Sequence, residues 1–185
     1  MDVFRIENFI SQEDSLILSN WTIKNSHKSF FKDANMKGNR KTTRYSTDEN
    51  FSYPSEALNI RKKIVDVLSL QENEINKIYP PFKDGIVVSF AENNDTCFSH
   101  KDPIWVEGFE TLHCNIITQA PEKGGELLIN KHKYIMKEKE LFCYLVSKSS
   151  HEVLKIKSVK PRLMWVFGFC VNEKQWKNII KKNND

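Results

Sequence analysis

A succession of short runs of β-forming residues, each bounded by turn residues, constrains the fold of this chain more than any other feature. After Pro80-Pro81, segments rich in Val, Ile, Phe and Tyr follow one another as far as residue 171. Strands are predicted at 85–91, 97–100, 110–118, 125–129, 132–136, 140–146, 151–157 and 161–171. Eight short strands in one stretch of chain predict a barrel or jelly roll.

Helical patterns lie on both sides of this β-rich stretch. A strand at 3–9 is followed by Ser11 with Asp14 three residues on, a capping-box pattern that predicts a helix to about Trp21. Pro54 opens an amphipathic helix in which apolar residues recur at helical spacing. A last helix is predicted from 172 to about 181, so the fold class is mainly β with flanking helices (α+β).

The length of 185 residues predicts a single domain. Residues 1–77 would hold the first strand, the helices and a lid at 22–53, residues 78–171 the β core, and residues 172–185 the last helix and tail. No segment approaches the roughly 20 apolar residues of a membrane span, and no export signal is apparent, so a soluble, cytoplasmic protein is expected. The four cysteines, none in a C-x-x-C pair, are expected to be buried thiols.

The net charge of +4 is too small to predict nucleic-acid binding. Basic residues concentrate between 24 and 45, but acidic residues lie among them, which indicates a solvated, mobile segment. Arg40 and Arg44 within it could clamp a carboxylate of a free amino acid or contact an acidic peptide.

His100 and Asp102 lie at the end of a predicted strand, two residues apart. Because successive strand residues alternate faces, both side chains point the same way. An imidazole and a carboxylate suit divalent iron, and His151, several strands later, would complete a facial triad with open coordination positions. Arg162 follows on the next predicted strand, and an arginine buried in a barrel requires an anion, such as a dicarboxylate co-substrate.

The order of these motifs resembles the Fe(II)/2-oxoglutarate-dependent oxygenase superfamily. His100-x-Asp102 is followed by Gly124-Gly125-Glu126-Leu127, then by the distal histidine and the arginine, so that the resemblance covers roughly 78–171. The opening, 4–14, is similar to the start of prolyl-4-hydroxylase-like members. The resemblance implies a double-stranded β-helix, the jelly-roll architecture of cupins.

The resemblance also implies the chemistry. His100, Asp102 and His151 would bind Fe(II), Arg162 would bind the distal carboxylate of 2-oxoglutarate, and O2 would be the oxidant. Hydroxylation with succinate and CO2 as co-products is expected because this chain has Asp102 among the ligands. Halogenases of the superfamily have a small residue in place of that carboxylate. Some prolyl-hydroxylase-like members use lysine as the anchor, and Lys160 is predicted on the same face as Arg162, so both stay open.

Four further residues are weaker predictions. Asn115 and Thr118, on the strand before the Gly-Gly turn, could contact the co-substrate, and Trp105 could line the substrate pocket along with Arg44. His113 is expected to be a buried structural histidine, and His27 and His132 fall in polar surroundings.

The alternatives differ in substrate class. The sequence favours a small molecule, such as an amino acid or biosynthetic intermediate, and a prolyl-type peptide or protein hydroxylase is the alternative. A non-catalytic cupin-like barrel would carry more histidines on its strands. Nucleic-acid demethylases of the repair type have a pattern similar to Arg-x-Asn-x-Thr-x-Arg after the distal histidine. Residues 162–169 lack this pattern.

Overall fold

The protein consists of two antiparallel β-sheets with helices packed on one of them. The computed structural model describes residues 2–33, 38–43, 51–70 and 83–182. The helices there are α1 (Gln12–Asn25), α2 (Ser55–Leu68) and α3 (Glu173–Lys182). The strands are β1 (Phe4–Ile6), β2 (Lys32–Asp33), β3 (Lys41–Thr42), β4 (Ile86–Ala91), β5 (Cys97–His100), β6 (Glu110–Gln119), β7 (Leu127–Ile129), β8 (His132–Tyr134), β9 (Leu141–Leu145), β10 (His151–Val153) and β11 (Arg162–Val171).

Within the described residues, the major sheet has seven strands in the order β1-β9-β6-β11-β4-β3-β2, and the minor sheet has four in the order β5-β10-β7-β8. All eight strands predicted for the core are present, and the jelly-roll prediction is confirmed. The ends differ where local hydrogen bonding changes. β10 ends at Val153, earlier than predicted, and the Leu154 and Ile156 amides that follow donate to the carbonyls of Glu126 and Asp95, which lie outside the strands.

The first helix begins as the sequence predicts and ends later. Ser11 accepts a hydrogen bond from the Asp14 amide, and the Asp14 carboxylate accepts one from the Ser11 amide, which completes the capping box. α1 continues to Asn25, four residues past the predicted end at Trp21. The expected lid at 22–53 therefore starts inside a helix, and its later part contributes β2 and β3 to the edge of the major sheet.

The two faces of the major sheet bury different cores. The outer face packs against the helices, and Trp165 and Phe167 of β11 lie there with Leu18 of α1 and Ile64 of α2. The inner face meets the minor sheet through a smaller cluster that includes Val166. The space between the sheets is therefore enclosed on two sides.

All four cysteines are buried and none forms a disulfide, as predicted. None of the helices that the structure describes has the length and apolar character needed to cross a membrane.

Candidate active site

Two histidines face each other on the minor sheet. His100 ends β5 and His151 begins β10, and the antiparallel register places them directly opposite. Their ring centroids are 4.3 Å apart. A pairing between strands that are far apart in sequence thus brings both predicted imidazole ligands to one point.

Both imidazoles are oriented in the same way. The Nδ1 of His100 lies 2.6 Å from the carbonyl oxygen of Phe98, and the Nδ1 of His151 lies 3.2 Å from that of Ser149. A carbonyl oxygen only accepts, so each Nδ1 donates to its carbonyl, and Nε2 is the ring atom that each histidine can offer to a metal. Burial, and then the neighbouring His100, lower the pKa of His151 to about 4, which keeps its ring neutral at pH 7.

Asp102 completes the cluster from the loop that follows β5. Its backbone amide donates to the carbonyl of Val146 at 3.1 Å, which holds the loop against the residue that follows β9 of the major sheet. One carboxylate oxygen lies 3.8 Å from the Nε2 of His100, and the other lies 3.8 Å from the Nε2 of His151. The expectation that positions 100 and 102 converge agrees with this geometry.

The three side chains fit a divalent metal. Their donor atoms all lie within 4.8 Å of one another. Donor atoms about 2.1 Å from one ion lie at most about 4.2 Å apart, so small side-chain rotations suffice for binding. Two neutral imidazoles and one carboxylate form the donor set that non-haem Fe(II) sites use.

A partly open cavity extends from this cluster into the space between the sheets. About 600 Å³ in and around it is free of protein atoms, and this volume includes open solvent. Apolar side chains form much of its wall, and the polar and charged residues that line it are Arg40, Thr42, Ser89, Asp102, His113, Asn115, Tyr144, His151 and Arg162.

Arg162 lies in the wall of this cavity, deep in the protein. It begins β11 opposite Ala91 of β4, and it is 2% exposed. One of its terminal nitrogens lies 3.3 Å from the sulfur of Met164, and its Nε has no hydrogen-bond partner in the described part of the chain. Burial, and then the charge of Arg40, lower its pKa to about 10, so the side chain is still a cation at pH 7.

The Gly-Gly turn makes room for this arginine. Gly125 has a φ of +73°, and a Cβ there would lie 3.1 Å from the Cδ of Arg162 and 3.0 Å from the Cγ of Pro121. Glycine therefore provides both the left-handed backbone and the space over the Arg162 side chain.

Lys160 does not share the position of Arg162. The sequence places both on one face of a strand, but β11 begins at Arg162, after Pro161, and Lys160 lies outside it. Its side chain is exposed and does not line the cavity. The expected strand alternation between the two is wrong because Pro161 comes before the ladder starts.

Several buried polar atoms of the cavity wall have no hydrogen-bond partner among the described residues. They are Arg40 Nε, Thr42 Oγ1, Ser89 Oγ, Asn115 Oδ1 and Arg162 Nε. A buried polar group without a partner costs about 1–3 kcal/mol. The guanidinium and hydroxyl groups among them can donate to a small anionic ligand, and the Asn115 oxygen can accept from a donor on it.

Comparison with known proteins supports the fold. No protein-family profile matches the sequence, and no curated protein matches it. Solved structures do match. A viral collagen prolyl hydroxylase from Paramecium bursaria Chlorella virus-1, in complex with 2-oxoglutarate, has a TM-score of 0.65 and 18% identity over 92% of this chain and 97% of that chain.

Two further structures agree with this match. A Pseudomonas putida prolyl-4-hydroxylase has a TM-score of 0.64 and 13% identity over 93% of each chain. A Trichoplax adhaerens prolyl hydroxylase, in complex with a peptide fragment of hypoxia inducible factor, has a TM-score of 0.63 and 16% identity over 96% of this chain and 86% of that chain. The chain has the fold of the prolyl hydroxylases.

The four residues of the weaker predictions differ in where they lie relative to the cavity. Asn115 is buried and lines the cavity. Thr118 is buried on the same strand but lies outside the cavity lining. Trp105 follows Asp102 in a loop, is 36% exposed and does not line the cavity. Arg44 lies outside the described residues.

Two further residues line the cavity although the sequence predicted no functional role for them. The Nε2 of His113 lies 3.7 Å from a carboxylate oxygen of Asp102, and His113 lines the cavity. Its spacing of two from Asn115 was the available signal, because both then share a strand face. Tyr144, the cross-strand partner of His113, was not singled out at all. Burial, and then the negative charge of Asp102, raise the pKa of Tyr144, so its phenol remains a hydrogen-bond donor.

Proposed function

We propose that this chain is an Fe(II)- and 2-oxoglutarate-dependent dioxygenase that hydroxylates a small molecule, such as an amino acid or a biosynthetic intermediate. One observation carries the proposal: Asp102 and His151 of the cluster that could hold a metal line the same cavity as the buried Arg162, whose Nε has no hydrogen-bond partner among the described residues. A metal site alone fits many reactions, and a buried arginine alone fits any anion. Together they fit a dicarboxylate that chelates the metal at one end.

In this proposal His100, Asp102 and His151 hold the iron, and three protein ligands leave coordination positions for the co-substrate and O2. The bound iron would supply oxidation of the substrate coupled to conversion of 2-oxoglutarate to succinate and CO2. The Nε2 atoms of both histidines and the buried carboxylate of Asp102 would bind the metal, and His151, whose pKa is lowered to about 4, would do so without loss of a proton.

Arg162 positions the co-substrate. Its guanidinium pairs with the distal carboxylate of 2-oxoglutarate through two parallel hydrogen bonds, which relieves the cost of burying an unpaired cation. Asn115 offers an amide to the same ligand from the neighbouring strand β6. Apolar walls such as Val87 and Leu127 exclude water from the reacting atoms.

A peptide hydroxylase of the prolyl type is the second candidate. Its support is the fold shared with prolyl hydroxylases, one of which is in complex with a peptide. Exposed apolar side chains close in sequence to the metal ligands also suit a peptide, namely Phe98, Ile104 and Trp105. If proline-containing peptides and not free amino acids increased succinate release, this candidate would replace the first.

We further propose that residues 1–185 act as one catalytic unit in the cytoplasm. Four buried thiols without a disulfide suit a reducing compartment.

The test is anaerobic titration of the purified protein with Fe(II) and 2-oxoglutarate. We expect the visible charge-transfer absorption of a chelated 2-oxoacid in the wild type, and no such band with succinate, which lacks the keto group. Asp102→Ala should remove the band. Absence of the band from the wild type, or its persistence in the variant, would refute the proposed iron site.

A further inference from the structure

Arg40 presents a second guanidinium to the cavity that contains Arg162. It directly precedes β3, which pairs with β4. On its other side β4 pairs with β11, where Ala91 lies opposite Arg162. The two arginines are therefore two strands apart at the same end of the major sheet, and both line the cavity.

In the described part of the chain, neither arginine has an acidic partner. The Nε of each is buried without a hydrogen-bond partner. The charge of Arg40 contributes to lowering the pKa of Arg162, as expected for two cations in one enclosed space. Such an arrangement is unfavourable unless anions enter the cavity.

Charge balance indicates how many anions are needed. The inference rests on the proposed function, in which the two charges of the metal are offset by the two carboxylates of 2-oxoglutarate. Asp102, the only acidic residue known to line the cavity in the described chain, offsets one arginine. Histidines that bind a metal are neutral, so one arginine remains without a counter-charge among the described residues that line the cavity.

We propose that Arg40 binds a carboxylate of the substrate, so that the substrate is a small carboxylic acid such as a free amino acid. In the proposed function, one carboxylate of 2-oxoglutarate binds the metal and the other binds Arg162. The guanidinium of Arg40 is therefore available to bind a different molecule. A planar guanidinium matches a carboxylate through two parallel hydrogen bonds. A monoanion also balances the remaining charge, which a phosphate dianion would exceed.

Neighbouring hydroxyl groups extend this anion site. Thr42, two residues after Arg40, lies opposite Ser89 of β4. Both residues line the cavity, and their hydroxyl oxygens have no hydrogen-bond partner in the described residues. They can donate to a carboxylate or accept from an amine. A residue inside a peptide has neutral amides in place of the carboxylate, and the charge of Arg40 would stay unbalanced.

The experiment uses the full chain loaded with Zn(II) and N-oxalylglycine, which replace the iron and 2-oxoglutarate without turnover. Free amino acids and small hydroxy and keto acids are compared with their neutral amides by thermal shift, and the acids that respond are titrated by calorimetry. We expect at least one acid, and not its amide, to raise the melting temperature of the wild type.

Arg40→Gln should weaken the binding of that acid about tenfold or more, because each hydrogen bond between charged groups contributes strongly to affinity. The affinity of the Arg40→Gln variant for N-oxalylglycine should change by less than about threefold. A general structural defect would lower both affinities. Arg40→Lys should restore part of the affinity because the charge is retained. Lys41→Gln is the matched control, since Lys41 is directed away from the cavity, with its Nζ 3.8 Å from Glu92 and 5.6 Å from the centre of the Phe90 ring.

Three results would overturn the inference. The first is that an amide binds as tightly as its acid, and the second is that no acid stabilises the loaded wild type. The third is that Arg40→Gln strongly weakens the binding of N-oxalylglycine, which would assign Arg40 to the co-substrate. Failure of the proposed function gives a different result, because the wild type would then not bind N-oxalylglycine with the metal at all.

Discussion

The two faces of the major sheet differ in how completely their polar groups are paired. On the outer face the Nε1 of Trp165 donates to Thr22 at 3.2 Å, and the hydroxyl of Tyr53 donates to the carbonyl of Ile86 at 2.8 Å. On the inner face Asn115 Oδ1 and Arg162 Nε have no hydrogen-bond partner in the part of the chain that the structure describes. The same strands build both faces, since their side chains alternate.

This difference separates stability from ligand binding. Outer-face side chains pack in an aromatic cluster in which the rings of Trp21 and Trp165 lie 5.3 Å apart. That packing supports the fold and needs no ligand. Inner-face polar groups cost free energy until a ligand pairs with them. Substitutions on the inner face should therefore change affinity and not lower stability, and substitutions on the outer face should do the reverse.

The largest effect is expected for Asp102→Ala at the metal cluster. Loss of a direct ligand should reduce metal affinity by more than about a hundredfold, because even outer partners of metal ligands contribute about 10–100-fold. The metal-free protein should keep its stability, since the backbone hydrogen bond to Val146 remains. Calorimetry with Mn(II) and urea denaturation measure the two quantities, with Asp66→Ala on the exposed face of α2 as control.

Arg162→Met should have opposite effects on affinity and stability. Affinity for 2-oxoglutarate should fall roughly a hundredfold as a two-hydrogen-bond charged contact is lost. The ligand-free protein should gain about 1–3 kcal/mol in free energy of unfolding, because an unpaired buried cation is replaced by an apolar side chain. Calorimetry and denaturation test this pair of effects, with Lys160→Met as control. A destabilised variant would break the comparison of the two faces.

Trp165→Phe tests the outer face. It removes the hydrogen bond to Thr22 and leaves a small cavity, so the free energy of unfolding should fall by about 1–3 kcal/mol. Affinity for 2-oxoglutarate, measured well below the melting temperature, should stay within about twofold of the wild type. A large loss of affinity would mean that the two faces are coupled through β11.

Gly125→Ala should affect both properties by a smaller amount. The left-handed backbone costs about 1–2 kcal/mol with a Cβ present, and the contact with Arg162 would move its side chain by a few tenths of an ångström. We expect a lower melting temperature and a severalfold weaker affinity for 2-oxoglutarate. Gly108→Ala, where a Cβ meets nothing within 4 Å, is the control for backbone strain alone. Equal affinities in the two variants would argue against the contact with Arg162.

The sequence by itself determined the features that depend on neighbouring residues. Alternation and turn residues predicted the eight core strands, and the capping box at Ser11 and Asp14 predicted where α1 begins. Strand alternation also led us to expect that His100 and Asp102 converge, and they do, although Asp102 lies in the loop after β5, which ends at His100. These features are local, so a short window of sequence contains the information.

Only the tertiary structure decided which distant residues share the cavity. The pairing of β3 with β4 brings Arg40 to the end of the sheet where Arg162 lies, and the pairing of β6 with β9 places His113 beside Tyr144. Neither follows from composition or period, because strand order and register depend on contacts between segments far apart in the chain. The net charge of the cavity depends on which of these distant residues line it, so it follows from the arrangement of the two sheets and not from any single segment.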